Sequence, residues 1–290
     1  MSKPDISIVI PYYMMGKFIA SCLESIKKQE QEPLEILIID DASPKDELLD
    51  ILKTYNKEPF AKKIKVIRHQ KNLGVSAARN SGIAEAKGKF CAFLDPDDLW
   101  EKKHLSSSWD IAQKHEKVDV VSGPVLFYEE ESGKKYGWVF ADWILQYFPA
   151  SLASNCFIQP SATLVRTDLL QQAGGFDTSK ELEHIEDYDL WIRLVEMGAK
   201  FAFRDEITCV YRRHPGAAST DPERMARLHQ NLVQKHSLFF LSSQRVLLQS
   251  LMHRAGNMDL LMRNPLFQAY ARLFQVFRKI KRKLSAKPPA

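Results

Sequence analysis

The first hundred residues alternate between two hydrophobic patterns. Short apolar runs, which are typical of buried strands, occur at 6–10, 34–39, 64–67 and 90–94. Between these runs, apolar residues three and four positions apart predict helices at 17–28, 45–55 and 75–87. Because strands and helices alternate, the pattern predicts a parallel sheet with right-handed crossover connections.

Particular residues are expected to mark three boundaries of these elements. Pro11 should end the first strand, because proline has no N–H to donate to a neighbouring strand. Ser43 can cap the second helix, with Pro44 at the first helical position. Gly88 suits the C-terminal cap of the third helix.

Beyond residue 100 the pattern is less regular. It predicts helices at 101–115 and 187–197, and strands at 118–128, 161–166, 201–203 and 208–212. From Pro222 onward the residues favour helix almost throughout. We therefore expect an α/β domain over 1–220, followed by a helical C-terminal region over 221–290.

Composition and cysteine spacing narrow the class of protein. The chain has 290 residues, 45% of them hydrophobic, and a formal net charge of +5. Its four cysteines lie far apart, so neither a zinc site nor a disulfide framework is predicted. The N-terminus does not resemble a signal peptide, and no apolar window is long enough to span a membrane. We therefore expect a cytoplasmic protein, and we expect no nucleic acid as its partner.

Carboxylates follow two of the predicted strands. Asp40 and Asp41 come after the second strand, and Asp95, Asp97 and Asp98 come after the fourth. Ligands of parallel sheets bind outside the carboxyl ends of the strands. Crowded carboxylates repel each other unless a cation lies between them, and oxygen ligands suit Mg²⁺ or Mn²⁺ beside a phosphate-bearing substrate. The alternative is a simple turn, in which Asp98 caps the following helix.

Six segments, in order, resemble the motifs of family 2 glycosyltransferases. Two of them are NLGVSAARNSG at 72–82 and FLDPDD at 93–98, and the other four lie at 7–13, 39–43, 174–191 and 211–216. The resemblance implies the GT-A fold, which is a Rossmann-like α/β architecture with a mostly parallel sheet flanked by helices. Here a helical C-terminal extension would follow that fold.

The resemblance also implies a site for a nucleotide-sugar donor. Asp97 and Asp95 would hold Mn²⁺ or Mg²⁺ against the diphosphate, with His214 on a closing loop as a third ligand. Asp41 would accept a hydrogen bond from the imide N–H of the base, which favours a UDP- or dTDP-type donor. Other donor-binding positions would be Pro11, Tyr12, Asn72 and Arg79. For Arg79, a structural salt bridge is the alternative to a contact with the phosphates.

The catalytic base is expected at the start of the helix over 187–197. By resemblance, Asp187 takes the proton from an acceptor hydroxyl as that oxygen attacks the anomeric carbon and inverts it. Glu186 would orient Asp187 or the acceptor. Trp191 would either stack on a sugar or pack in the core.

The predicted function is therefore metal-dependent, inverting glycosyl transfer. The acceptor would be a glycan or a lipid-linked molecule in surface polysaccharide or glycolipid synthesis. One alternative is a nucleotidyltransferase, although the residues YYMMGK at 12–17 differ from the Gly-rich basic loop that such an enzyme usually needs. The other alternative is a non-catalytic nucleotide-sugar-binding protein, which the presence of Asp97 and Asp187 disfavours.

The C-terminal segment has a separate signal. From Asn264 to Ala290 the chain carries seven basic residues and no acidic ones, and apolar residues recur at helical spacing. Basic amphipathic helices of this kind lie in membrane interfaces. The sequence leaves two hypotheses open: peripheral contact with the inner face of a membrane through 265–284, or packing of this helix on the domain.

Overall fold

The computed structural model describes residues 5–45, 47–55, 58–114, 118–214 and 222–255. The strands are β1 (Ile6–Tyr12), β2 (Glu35–Asp40), β3 (Ile64–Arg68), β4 (Phe90–Phe93), β5 (Leu99–Trp100), β6 (Val120–Ser122), β7 (Val125–Glu129), β8 (Lys135–Trp138), β9 (Leu164–Arg166), β10 (Phe201–Phe203) and β11 (Cys209–Arg213). The helices are α1 (Gly16–Lys27), α2 (Glu47–Lys53), α3 (Val75–Glu85), α4 (His104–Lys114), α5 (Asp142–Gln146), α6 (Thr167–Gln172), α7 (Glu186–Glu196), α8 (Pro222–Lys235) and α9 (Ser237–Ala255).

The described strands form two sheets. The larger sheet has seven strands in the order β10-β6-β9-β4-β1-β2-β3, and all of its pairs are parallel except those that β9 makes with β4 and β6. The smaller sheet has the order β5-β11-β7-β8. The predicted α/β fold with a mostly parallel sheet is therefore confirmed.

Residues on β1 alternate between two hydrophobic clusters, one on each face of the large sheet. Ile6, Ile8 and Ile10 pack with α1 and α4 on one face, while Val9 packs with α3 and α7 on the other. Helices cover both faces, which explains why the strand reads as one continuous apolar run.

Strand β1 continues through Pro11, contrary to the expectation that proline would end it. The backbone carbonyls of Asp5 and Val9 accept hydrogen bonds from the β4 side, whereas those of Ile6 and Tyr12 accept them from the β2 side. Pro11 therefore faces the β4 side, where pairing has already ended at Val9. No partner there needs the missing N–H, so the proline is tolerated.

Two other boundary predictions were wrong. Helix α2 begins at Glu47, and the Ser43 hydroxyl instead accepts the Met14 N–H at 3.0 Å. Helix α3 ends at Glu85, before Gly88. A Cβ atom on Gly88 would lie 2.5 Å from the Ser7 backbone nitrogen, so this glycine allows a close backbone approach.

The predicted strand over 118–128 is divided into β6 and β7, which belong to different sheets. The break falls at Gly123 and Pro124. Strands β5 and β8 were not predicted, because neither contains a long apolar run.

The C-terminal helices α8 and α9 pack on the same core as α7. Leu228, Leu232, Phe239 and Phe240 belong to the hydrophobic cluster that contains Trp191. Among the helices of the described ranges, none is both long and apolar enough to cross a membrane. The segment 265–284 lies outside the described residues, and the domain division at 220 stays a prediction.

Candidate active site

A cavity of about 680 Å³ lies where the motifs meet at the carboxyl ends of β1, β2 and β4. The residues predicted from sequence that line it are Pro11, Tyr12, Asp41, Asn72, Arg79, Asp95, Asp97, Glu186, Asp187 and His214. Its size is within the usual range for small-molecule sites. Segments far apart in sequence thus contribute to one site.

Trp191 does not line this cavity. Its side chain is 0% exposed, and its indole N–H donates to the Ile158 carbonyl at 2.9 Å. Position 191 lies one turn after Asp187 on α7, but its ring points into the core and stacks edge-on with Phe176. Packing in the core, the second of the two alternatives, is therefore its role, and the sugar-stacking assignment is withdrawn.

Asp41 is held by the loop that precedes α3. Its Oδ1 accepts the Leu73 N–H at 2.9 Å, and its Oδ2 accepts the Gly74 N–H at 2.7 Å. His69 donates a third hydrogen bond through Nδ1, at 2.7 Å from Oδ1. Asp41 therefore joins the end of β2 to the loop containing Asn72, and both residues line the cavity.

Arg79 connects the turn after β4 with the start of α7. Its guanidinium lies 2.8 Å and 3.0 Å from the two oxygens of Asp95, and 2.8 Å from Glu186 Oε1. The side chain is 4% exposed, and it lies over the Phe176 ring. Burial lowers the pKa of Arg79, but Asp95 and Glu186 together raise it above its usual value. The structural salt bridge is therefore present.

The turn after β4 concentrates negative charge in a buried place. Burial and then the neighbouring Asp95 raise the pKa of Asp97, and burial raises the pKa of Asp98 well above its usual range. Asp98 does not cap the next helix, because α4 begins at His104. It instead accepts the Arg212 N–H at 3.0 Å and so ties this turn to the end of β11.

His214 is the residue from the β11 end that meets Asp97. Its Nε2 lies 3.1 Å from Asp97 Oδ2, and its ring lies 4.9 Å from that of Phe18. Within the described ranges, no group of three or more His, Cys, Asp or Glu side chains is arranged to hold a metal ion. Asp95 is engaged by the Arg79 guanidinium, whereas the Asp97 carboxylate contacts His214.

Asp187 lies in the first turn of α7 and lines the same cavity as Asp95 and Asp97. Its Oδ1 accepts the Tyr188 N–H at 2.7 Å. Burial and the neighbouring Glu186 raise the pKa of Asp187 to about 7, against a partial opposing effect of Arg79. A carboxylate with this pKa can take up a proton near neutral pH, as a general base must.

Part of the lining is formed by residues that were not named as site residues from the sequence. Residues between Phe176 and α7 form the wall beside Asp187, and they include Thr178, Ser179, Lys180, Glu183 and His184. His184 has a φ of 73°, an uncommon conformation for a residue other than glycine. The tertiary fold brings the side chains of this loop to the cavity. The periodicity of hydrophobic residues does not predict such a placement.

Comparison with known proteins identifies the family of this chain. The sequence model of glycosyl transferase family 2 matches residues 7–173. A curated relative, the glycosyltransferase GlyG of Streptococcus pneumoniae, is 25% identical over 226 residues, which cover 73% of this chain and 72% of GlyG.

Solved structures show the same fold. TarS from S. aureus in complex with UDP aligns with a TM-score of 0.61 and 21% identity, covering 80% of this chain and 64% of that chain. The chain thus spans less than two thirds of the TarS chain. The mannosyltransferase PcManGT from Pyrobaculum calidifontis, in complex with GDP-Man and Mn²⁺, aligns with a TM-score of 0.58 and 14% identity, covering 93% of this chain and 84% of that one. Both likenesses concern the GT-A fold.

Proposed function

The chain belongs to glycosyl transferase family 2 and is a glycosyltransferase, and from this premise we propose that it is an inverting enzyme using a nucleotide-diphosphate sugar. The observation that carries the proposal is that Asp41, Asp97 and Asp187 line one cavity. They supply one carboxylate each for the three parts of the reaction: the base of the donor, its diphosphate, and the acceptor hydroxyl.

The donor is proposed to carry uracil or thymine. TarS has been solved with UDP and with UDP-GlcNAc, and PcManGT with GDP-Man, which supports a nucleotide-sugar donor for this chain as well. Asp41 is the carboxylate on the nucleotide side, and a carboxylate accepts hydrogen bonds only. An imide N–H suits it, as in UDP- or dTDP-type donors.

The turn after β4 is proposed to hold Mn²⁺ or Mg²⁺. Burial and Asp95 raise the pKa of Asp97, so a cation beside it would relieve an unfavourable concentration of charge. Divalent cations at phosphate-transfer sites commonly use one or two carboxylates together with substrate phosphates, so a complete protein cage is not needed. Asp97 would be the main ligand, with Asp95 and His214 beside it, and imidazole would favour Mn²⁺. The bound ion would offset charge on the diphosphate leaving group.

Asp187 is proposed as the general base. It takes the proton of the acceptor hydroxyl while that oxygen bonds to the anomeric carbon and the bond from this carbon to the phosphate oxygen breaks. Attack from the side opposite the diphosphate inverts the configuration. Glu186 is held by Arg79 at 2.8 Å, so its role is to fix the start of α7 rather than to remove the proton.

The acceptor is proposed to be a glycan or a lipid-linked glycan of surface polysaccharide or glycolipid synthesis. The wall beside Asp187 carries polar side chains such as Thr178, Lys180 and His184, which suit a hydroxylated acceptor. We also propose that the enzyme acts at the cytoplasmic face of a membrane, which the basic segment 265–284 would contact.

The experiment that tests this function separates transfer from binding. Wild type and Asp187→Asn would be incubated with Mn²⁺, a panel of nucleotide sugars and a panel of glycan acceptors, and both released nucleotide and glycosylated product would be measured. The variant should lose about 10²- to 10⁴-fold in transfer, the usual contribution of a general base, while its affinity for UDP stays unchanged.

The matched control is Asp110→Asn on the exposed face of α4, which should keep full transfer. Transfer by Asp187→Asn at close to the wild-type rate would show that another group is the base. A wild-type protein that binds no uracil or thymine nucleotide would contradict the donor class.

A further inference from the structure

Asp41 is the last member of a chain of hydrogen bonds that begins on α3. The Ser81 hydroxyl lies 2.8 Å from His69 Nε2, and His69 Nδ1 lies 2.7 Å from Asp41 Oδ1. The His69 side chain is 10% exposed, so it contacts Asp41 from inside the protein. An ionised carboxylate only accepts hydrogen bonds, so Nδ1 of His69 carries the proton.

The order serine, histidine, aspartate also occurs in hydrolases that use a serine nucleophile. In the described part of this chain, however, neither His69 nor Ser81 is among the residues that line the cavity, whereas Asp41 is. The serine therefore does not face a substrate. The three residues lead from α3 to a carboxylate in the nucleotide site, an arrangement that orients Asp41.

The contacts of Asp41 leave room for one more hydrogen bond. A carboxylate offers about four lone-pair positions. Oδ1 already accepts from the Leu73 N–H and from His69, and Oδ2 accepts from the Gly74 N–H. One position remains, and it is on Oδ2.

The edges of the nucleotide bases differ in the number of donors they present. Uracil and thymine present one imide N–H between two carbonyl oxygens. Guanine presents two adjacent N–H donors, one from the ring and one from the amino group, which pair best with both oxygens of a carboxylate. A carboxylate whose Oδ1 is already filled can serve only the first kind of base.

We propose that His69 is a positioning residue that sets the base specificity of this site. By filling Oδ1 and fixing the rotation of Asp41, it favours bases with a single N–H donor and disfavours guanine. The proposal rests on the proposed function, because it assumes that Asp41 meets the base of a nucleotide-sugar donor.

The test compares the dissociation constants of UDP and GDP by titration calorimetry in the presence of Mg²⁺. Wild type should prefer UDP. His69→Phe keeps a planar ring but has no hydrogen-bond donor. It should weaken the binding of UDP and reduce the preference for UDP over GDP by about tenfold, the value of one hydrogen bond to a charged group. His69→Asn, whose amide N–H₂ can replace Nδ1, should keep most of the preference.

His229→Phe, an exposed position on α8, is the matched control and should leave both constants unchanged. Ser81→Ala, which frees the ring but keeps its donor, should give a smaller loss of preference than His69→Phe. If His69→Phe does not fold, as judged by its thermal transition, Ser81→Ala decides instead, and there an unchanged preference overturns the proposal.

The outcomes separate this inference from the proposed function. A wild type that prefers UDP, together with a His69→Phe variant that keeps the same preference, overturns the role of His69 alone. A wild type that binds GDP as tightly as UDP, or binds neither, contradicts the proposed donor and the role of His69 together.

Discussion

At the residue scale, the raised pKa of Asp187 makes activity depend on pH. The base must be ionised, so kcat/KM should fall as pH drops below about 7 and should level off above that value. Measuring kcat/KM between pH 5 and 9 checks this. Asp41→Asn, altered on the nucleotide side, should weaken donor binding and keep the same acid limb. If the acid limb of the kcat/KM profile shifted on substitution of Asp41 rather than of Asp187, this would contradict the assignment of Asp187 as the base.

The raised pKa of Asp187 also affects the stability of the fold, because the folded and unfolded states bind this proton with different affinities. The folded protein binds the Asp187 proton more tightly than the unfolded chain, whose pKa is the ordinary 3.8. The stabilisation that comes from the proton on Asp187 is thus complete below pH 3.8 and is lost as pH rises through about 7. Asp187→Asn should therefore melt higher than wild type at pH 8, by a few degrees at most. The ionised form of the proposed base would thus lower the stability of the fold.

The sequence predicted cavity-lining residues that stand close to a strand end or at a helix start. Asp41 and Asp97 follow β2 and β4, and Asp187 lies in the first turn of α7 within a segment that resembles a family motif, so all three could be named from the sequence. His69 is also next to a strand, but its significance lies in contacts with residues 28 and 12 positions away. A single sequence does not report such contacts.

At the scale of the secondary-structure elements, Arg79 links α3, the turn after β4, and α7. Arg79→Met would leave the buried Glu186 and the partly buried Asp95 without their charged partner, so unfolding in urea should show a loss of about 3–5 kcal/mol. Lys65→Met, which removes the exposed pair of Lys65 with Glu85, is the control and should cost at most about 1 kcal/mol.

The double variant Arg79→Met with Glu186→Gln tests whether the uncompensated charge of Glu186 causes the loss of stability in Arg79→Met. Because it also removes one of the two stranded carboxylates, it should recover part of the stability. If the double variant is less stable than Arg79→Met alone, then the charge of Glu186 is not what Arg79 compensates.

Strands β1, β2 and β4 were predicted because they are buried over almost their whole length, and each forms an apolar run that a pattern can find. Strand β3 lies at the edge of the sheet and is only partly buried, but Ile64, Val66 and Ile67 still give it an apolar pattern. Strands β5 and β8 have only two and four residues, and they gain their place by pairing with β11 and β7. Pairing between distant strands is a tertiary effect, so the sequence predicted the segments of β7 and β11 but not that they form a separate sheet with β5 and β8.

At the scale of the whole molecule, positive charge and exposed apolar side chains are concentrated towards the C-terminus. Leu238 is 80% exposed and Leu241 is 56% exposed on α9. The segment from Asn264 to Ala290 then adds seven basic residues without an acidic one. Apolar and basic side chains together favour a surface that carries anionic lipid.

Deleting 265–290 should therefore reduce binding to vesicles that contain anionic lipid. Each basic residue near such a surface contributes about 1 kcal/mol, and the effect falls as salt rises. Sedimentation with vesicles at low and high salt measures it, and unchanged UDP binding by the truncated chain shows that its active site is intact. A full-length variant with Arg278, Lys279 and Lys281 changed to Gln should bind at an intermediate level. Equal sedimentation of all three proteins would mean that the segment does not contact the membrane.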